Sequence, residues 1–205
     1  MHLWDLHQDG TSGGHVAEFR SHARYAVTAS YSSDEKFVAT ASETLRIFDA
    51  DEDSPNHGST MYRLPVGVSH KSPLADAAFS PAQGDLRLAT IDQDGTLGVW
   101  RWAPGEAKPL VPLCDVLRNQ FDSPDWAPGL KFGNTTAWSP DGKSLATLQS
   151  GVISLWKQEN GILVRSELPV PEGLQCRFNQ LHFSSKDPLL TAGGVAWSES
   201  SDMFS

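Results

Sequence analysis

With 205 residues, a formal charge of −9 and no basic run, the chain has room for one domain but lacks the Lys/Arg stripe that a phosphate-tracking surface needs, so nucleic acid is not expected as a partner. No apolar stretch approaches the roughly 20 residues of a membrane span, and the N-terminus lacks the charged and apolar regions of a secretory signal, so no membrane is expected. Cys114 and Cys176 have neither metal spacing nor enough company for a disulfide framework, which points to a reducing cytoplasmic or nuclear compartment.

The first element, Met1 to Leu6 or MHLWDL, reads as a strand that ends a unit on Trp4-Asp5. The run Asp9-Gly10-Thr11-Ser12-Gly13-Gly14 has no Lys and no following helix with which to cradle a phosphate, and it reads as a flexible turn. His7, His15 and His22 around it show no metal pattern. A first full unit, YSSDEKFVATASETLRIFD, runs from 31 to 49, and an acidic polar connector, ADEDSPNHGST, follows at 50 to 60.

The best copy is FSPAQGDLRLATIDQDGTLGVW at 79 to 100. Leu97 and Val99 alternate around Gly98 as in a strand, and Asp94-Gly95 supplies the tight reversal before it. That turn accounts for Asp92 and Asp94 better than a catalytic carboxylate pair does. Residues 115 to 133, DVLRNQFDSPDWAPGLKFG, interrupt the pattern with Leu117, Phe121, Trp126, Leu130 and Phe132. Two readings stand there: a partner-binding ridge, or a satellite core folded back over a sheet edge.

The next copy is WSPDGKSLATLQSGVISLW at 138 to 156, with the turn Pro140-Asp141-Gly142 between its first two strands. His182 lies in a further strand and reads as a satisfied or solvent-facing histidine; a worn copy, FSSKDPLLTAGGVAW, closes at Trp197. No serine sits in a Gly-x-Ser-x-Gly elbow and no nucleophile is paired with a base, so neither enzymatic activity nor a cofactor or metal is expected.

The closing aromatics Trp4, Phe48, Trp100, Trp156 and Trp197 are separated by 44, 52, 56 and 41 residues. That spacing matches a propeller blade of about 40 to 45 residues with two insertions. The copies resemble the WD-repeat β-propeller family, whose blades carry Gly-His before the first strand and Trp-Asp at the end of the third. Ser69-His70, Thr90, Asp94 and Trp100 look like the family's structural hydrogen-bonded set of His70, Thr90, Asp94 and Trp100. The preceding blade keeps His22 and Thr40 but has Phe48 for Trp and no turn Asp. The following one keeps Thr147 and Trp156, with Gly133-Asn134 where Gly-His would sit and Gln149-Ser150-Gly151 for the turn.

The resemblance implies an all-β fold of four-stranded antiparallel blades in an incomplete or open propeller over residues 1–205. A blade end covers 1–22, blades lie at about 23–68, 69–115, 133–170 and 174–200, and the inserted loop is 115–133. Reading Trp197 as the end of a third strand gives both termini the same strand, so the chain is expected to be a fragment lacking N-terminal blades or to be completed by a partner chain. The implied role is a non-catalytic scaffold for other proteins, with Arg24, Phe121 and Trp126 as partner contacts. The alternative is the C-terminal sensor or regulatory propeller of a multidomain signalling ATPase.

Overall fold

A computed structural model of the chain describes residues 2–6, 12–18, 26–65, 67, 69–114, 133–149, 151–159, 162–169, 175–186 and 189–197, with backbone alone at 2–6, 12–18, 175–177 and 195–197. The described residues form sixteen β-strands and no helix. β1 (His2–Leu6) and β2 (Ser12–Glu18) pair as an antiparallel hairpin. Three four-stranded meanders follow, each with its strands side by side in chain order. The first holds β3 (Thr28–Tyr31), β4 (Phe37–Ala41), β5 (Arg46–Asp49) and β6 (Thr60–Arg63). The second holds β7 (Leu74–Phe79), β8 (Arg87–Asp92), β9 (Leu97–Trp102) and β10 (Leu110–Pro112), and the third β11 (Thr135–Trp138), β12 (Ser144–Gln149), β13 (Val152–Glu159) and β14 (Ile162–Glu167). A further hairpin joins β15 (Gln175–Phe183) to β16 (Leu190–Trp197).

The first strands stand in a row, β3 packing on β7, β7 on β11 and β11 on β15. Sheets that radiate from such a row make an open, propeller-like all-β fold. One difference from the expected strand order concerns the worn copy. Trp197 ends β16, which pairs directly with β15 along its length (Gln175 opposite Trp197, Phe183 opposite Leu190), so it closes the second strand of its sheet and not a third. The nine-residue β15 is long enough to hold the whole of β16 as one partner, where the shorter first strands of the other copies are not.

The second strands of the second and third meanders are buried on both faces because they alternate between two cores. Leu88 packs with Ala39, Ala41, Leu45 and Ile47 of the first sheet, whereas its neighbour Ala89 packs with Trp138, Leu145 and Trp156 of the third. Leu145 and Ala146 divide in the same way between the second sheet and the β15–β16 hairpin, whose Leu181 joins Ala146, Leu148 and Ile153. Successive strand residues point to opposite faces, so a near-continuous apolar run such as Leu-Ala-Thr-Leu fits a strand covered on both sides. Ala39, Ala89 and Ala146 at equivalent places are fully buried, and their small side chains let neighbouring sheets approach.

The reversals between first and second strands are built from short polar side chains. Ser139 donates to Asp141 at 2.7 Å and accepts the Ser144 amide at 2.9 Å, and Asp141 accepts the Lys143 amide at 3.0 Å. Ser32, Asp34, Lys36 and Phe37 repeat that pattern in the first sheet. The turn needs one left-handed residue, and Gly142 takes it with φ +69°. Glu35 takes the same place with φ 61° and bears the Cβ strain that glycine avoids. Gly142 also touches the second sheet: a Cβ there would lie 2.6 Å from Ser80 Oγ and 2.7 Å from Ala82 Cβ.

Two substitutions read these demands separately. Gly142→Ala meets both the wrong backbone region and the neighbouring sheet, and a loss of about 2 kcal/mol or more is expected, about 4–8 °C in Tm for a chain of this size. Glu35→Gly relieves strain of about 1–2 kcal/mol against a smaller entropic cost, so a rise in Tm is expected. Thermal melts followed by circular dichroism distinguish the two signs, and a fall for Glu35→Gly would contradict the strain argument.

Candidate functional site

The second sheet holds a buried polar relay. His70 Nε2 lies 2.8 Å from Thr90 Oγ1, and His70 Nδ1 lies 3.3 Å from Asp92 Oδ2. Trp100 Nε1 donates to the same Thr90 oxygen at 2.8 Å. A carboxylate only accepts, so Nδ1 carries the proton toward Asp92, and the Thr90 hydroxyl donates to Nε2 while accepting from the indole. Every polar atom of the relay thereby has a partner, which a buried group needs because leaving one unpaired costs about 1–3 kcal/mol. Gly98 makes room for it: a Cβ at that position would lie 2.6 Å from Trp100 Cζ2.

The expected set named Asp94, but the carboxylate that reaches His70 is Asp92. Asp92 is fully buried at the end of β8, and its other oxygen accepts the amides of Asp94 (3.0 Å) and Thr96 (2.8 Å). The turn thus wraps around Asp92, and Asp94 contributes its backbone amide to that turn. Burial raises the Asp92 carboxyl, but the hydrogen bond from His70 and the Thr96 and Asp94 amides outweigh it, so its pKa lies below the usual carboxylate value. In the third sheet Trp156 Nε1 still donates to Thr147 at 2.9 Å, while Gln149 and Asn134 turn to the second sheet, donating to the Gly95 and Asp92 carbonyls at 2.6 and 2.8 Å. Asn134 sits four residues before Trp138, whereas His70 sits nine before Phe79, so Asn134 does not stand in the histidine's place.

A second polar system, which the sequence pattern did not single out, joins the inner strands. The first strand of a sheet pairs on one side only, so its outward amides need other acceptors. Thr28 and Ser30 of β3 accept the Ala77 and Phe79 amides of β7 at 3.2 and 3.0 Å. Asp76, at the place in β7 that Thr28 holds in β3, accepts the Thr136 amide of β11 at 2.8 Å and the Thr135 and Thr136 hydroxyls at 3.0 and 3.1 Å. Trp138 Nε1 donates back to the Ala78 carbonyl at 2.9 Å. The only sequence sign of this system is Asp76 itself, a charged residue inside the apolar strand Leu-Ala-Asp-Ala-Ala-Phe.

These strands line an open concavity of about 470 Å³ with Thr28, Ser30, Asp76, Thr135, Gln180 and His182 on its wall. Gln180 and His182 are exposed there. Farther out, Arg87 ties the second and third sheets: it pairs with Asp85 at 2.6 Å, donates to the Gly142 carbonyl at 2.7 Å and covers the Trp138 ring at 5.1 Å. Among the described residues no group of three or more His, Cys, Asp or Glu is arranged to hold a metal. Among the described residues there is no helix long and apolar enough to cross a membrane. Arg24, Phe121 and Trp126 lie outside the described residues, as does His22.

No protein-family model matches the chain, and no curated protein matches it. Fold and relay together define a class: an open, propeller-like all-β protein of four-stranded antiparallel sheets.

The relay carries a pH signature. Because the folded Asp92 pKa is depressed, its stabilisation is complete above the unfolded carboxyl value of about 3.9 and is lost as pH falls through the lower folded value. The Tm gap between the native chain and Asp92→Asn is therefore expected to be full at pH 6 and to close below about pH 4. A gap independent of pH would contradict the assignment.

Proposed function

We propose that the chain belongs to the WD-repeat propellers and serves as a non-catalytic scaffold that presents loops to protein partners. The observation that carries this reading is the tethering of successive sheets by Thr28, Ser30, Asp76 and Arg87, which fixes the ends of the loops between strands. A loop held at both ends loses little further freedom on binding, so its contacts convert more fully into affinity. The 115–133 segment is proposed to act in this way because the described residues at its ends are held: the Leu113 amide bonds the Val99 carbonyl at 2.9 Å, and Gly133 packs against Asn179 so closely that a Cβ would lie 3.2 Å from the Asn179 backbone.

Arg24, Phe121 and Trp126 are the proposed contacts, since Trp and Arg dominate interface energies when they fill a pocket. The immobilised chain, its Trp126→Ala variant and its Arg24→Ala variant are compared for the proteins each recovers from cytosolic extract, quantified by mass spectrometry. Trp126→Ala is expected to lower capture of a defined subset about tenfold, about 1.4 kcal/mol, with an unchanged melting curve. Unchanged capture by both variants would overturn the assignment, and a lowered Tm for Trp126→Ala would place that side chain in a satellite core instead.

A further inference from the structure

In the complete first sheet, Arg46 on β5 stands directly opposite Arg63 on β6. The neighbouring rung is closed by the Leu64 amide on the Leu45 carbonyl at 3.0 Å, so the two arginines occupy a non-hydrogen-bonded rung, where opposed side chains lie closest. Both project from one face, and like charges placed this way are destabilising.

Other arginines of the chain are matched by acids. Among those whose side chains are described, Arg87 pairs with Asp85 at 2.6 Å, Arg101 with Glu106 at 3.0 Å and Arg165 with Glu167 at 2.9 Å. Arg46 and Arg63 have no ion pair or hydrogen bond among the described residues, although the chain holds 25 Asp and Glu against 16 Lys and Arg. The third sheet shows the contrast. Ser154, opposite the buried Thr147, holds the place that Arg46 takes opposite Thr40, and Glu167 holds the place of Arg63. A carboxylate thus stands there where the first sheet has its second arginine.

The surroundings hold the pair in place. Leu45 and Leu64 are buried beside it, and the Thr44 hydroxyl donates to the Leu64 carbonyl, which fixes both strand ends. Arg46 is half-buried, and Arg63 is exposed. The Nε of Arg46 is shielded from solvent without an acceptor, whereas its two outer nitrogens, equally without partners, stay open to solvent. Burial lowers the Arg46 pKa from its ordinary value, the Arg63 charge lowers it further, and Glu43 acts in the opposite sense without cancelling them.

We propose that Arg46 and Arg63 form a binding site for a phosphate monoester, held between their guanidinium groups. Two facing cations are balanced by a compact dianion, and a phosphate monoester carries about −1.5 to −2 at neutral pH on three acceptor oxygens. Guanidinium forks bond such oxygens two at a time. A single carboxylate would leave one cation unbalanced. Nucleic acid does not fit, because each of its phosphates carries one charge and a chain of net charge −9 has no basic run to follow them. The phosphate therefore belongs to a small phosphorylated compound or to a phosphorylated side chain. This site lies apart from the 115–133 loop, and its test stands whatever that loop does.

Inorganic phosphate is titrated into the native chain by calorimetry, with sodium chloride at equal ionic strength as the control. Saturable binding is expected, tighter at about pH 7.5 than at about pH 5.5 because the second phosphate ionisation lies near 6. Binding no stronger than that of chloride would overturn the proposal. Arg46→Gln and Arg63→Gln, each checked for folding by circular dichroism, are expected to weaken binding about tenfold or more, since each removes a charge-assisted pair. Unchanged affinity in both would sink the assignment, and if Arg46→Gln does not fold, the exposed Arg63→Gln decides alone. Arg63→Glu supplies the carboxylate that the third sheet carries, so it is expected to raise Tm without phosphate and to abolish the response to it. A fall in Tm would contradict the like-charge argument. A short peptide with one phosphoserine separates the sources: affinity well above that of inorganic phosphate shows a phosphorylated side chain, and equal affinity a small compound.

Discussion

The whole arrangement depends on the outward amides of the inner strands. A first strand hydrogen-bonds its own sheet on one side only, and its other side would be a bare edge unless something accepts from it. Here the preceding sheet supplies acceptors: the Ser30 hydroxyl serves Phe79, the Asp76 carboxylate serves Thr136, and the Thr28 hydroxyl shares the Ala77 amide with Asp76 of the same strand. Because an unpaired buried amide is costly, the cap position sets the spacing and height of each sheet relative to the next. The apolar cores lie between the sheets that these bonds join.

Those cores explain the rest of the packing. A second strand gives alternate residues to two neighbours, so Leu88 and Ala89 stabilise different sheet pairs although they are adjacent in the chain. Trp102 and Trp156, on third strands, fill the space toward the outer strands, while fully buried alanines on the second strands let the sheets approach farther in. Polar ties follow the same division of labour. His70, Thr90, Asp92 and Trp100 lock one sheet internally, whereas Asn134, Gln149 and Arg87 reach across the gap from one sheet to another. A frame tied in both ways suits a role in which loops, not strands, meet partners.

Much of the fold was legible before any coordinates, because strand alternation and turn residues are local. The Asp94-Gly95 reversal, the Pro140-Asp141-Gly142 turn and the third strands that carry Phe48, Trp100 and Trp156 all lie where their spacing puts them, although those strands run on to Asp49, Trp102 and Glu159. The carboxylate of the relay was misplaced by two residues because both Asp92 and Asp94 suit the turn, and only the buried one can face an imidazole. The strand that ends on Trp197 was misread for a related reason: its aromatic ending resembles a third strand, but its pairing partner is a first strand.

The sequence alone thus determined that the chain makes short antiparallel strands in repeated units, because alternation, left-handed turn residues and closing aromatics act over a few neighbouring residues. Tertiary structure decided which polar groups hold the units together. Asp76 and Thr136 are 60 positions apart, as are Ala78 and Trp138, and nothing in their local sequence announces that they meet. Their pairing exists only because stacked sheets bring one inner edge against the next and leave its amides needing an acceptor there.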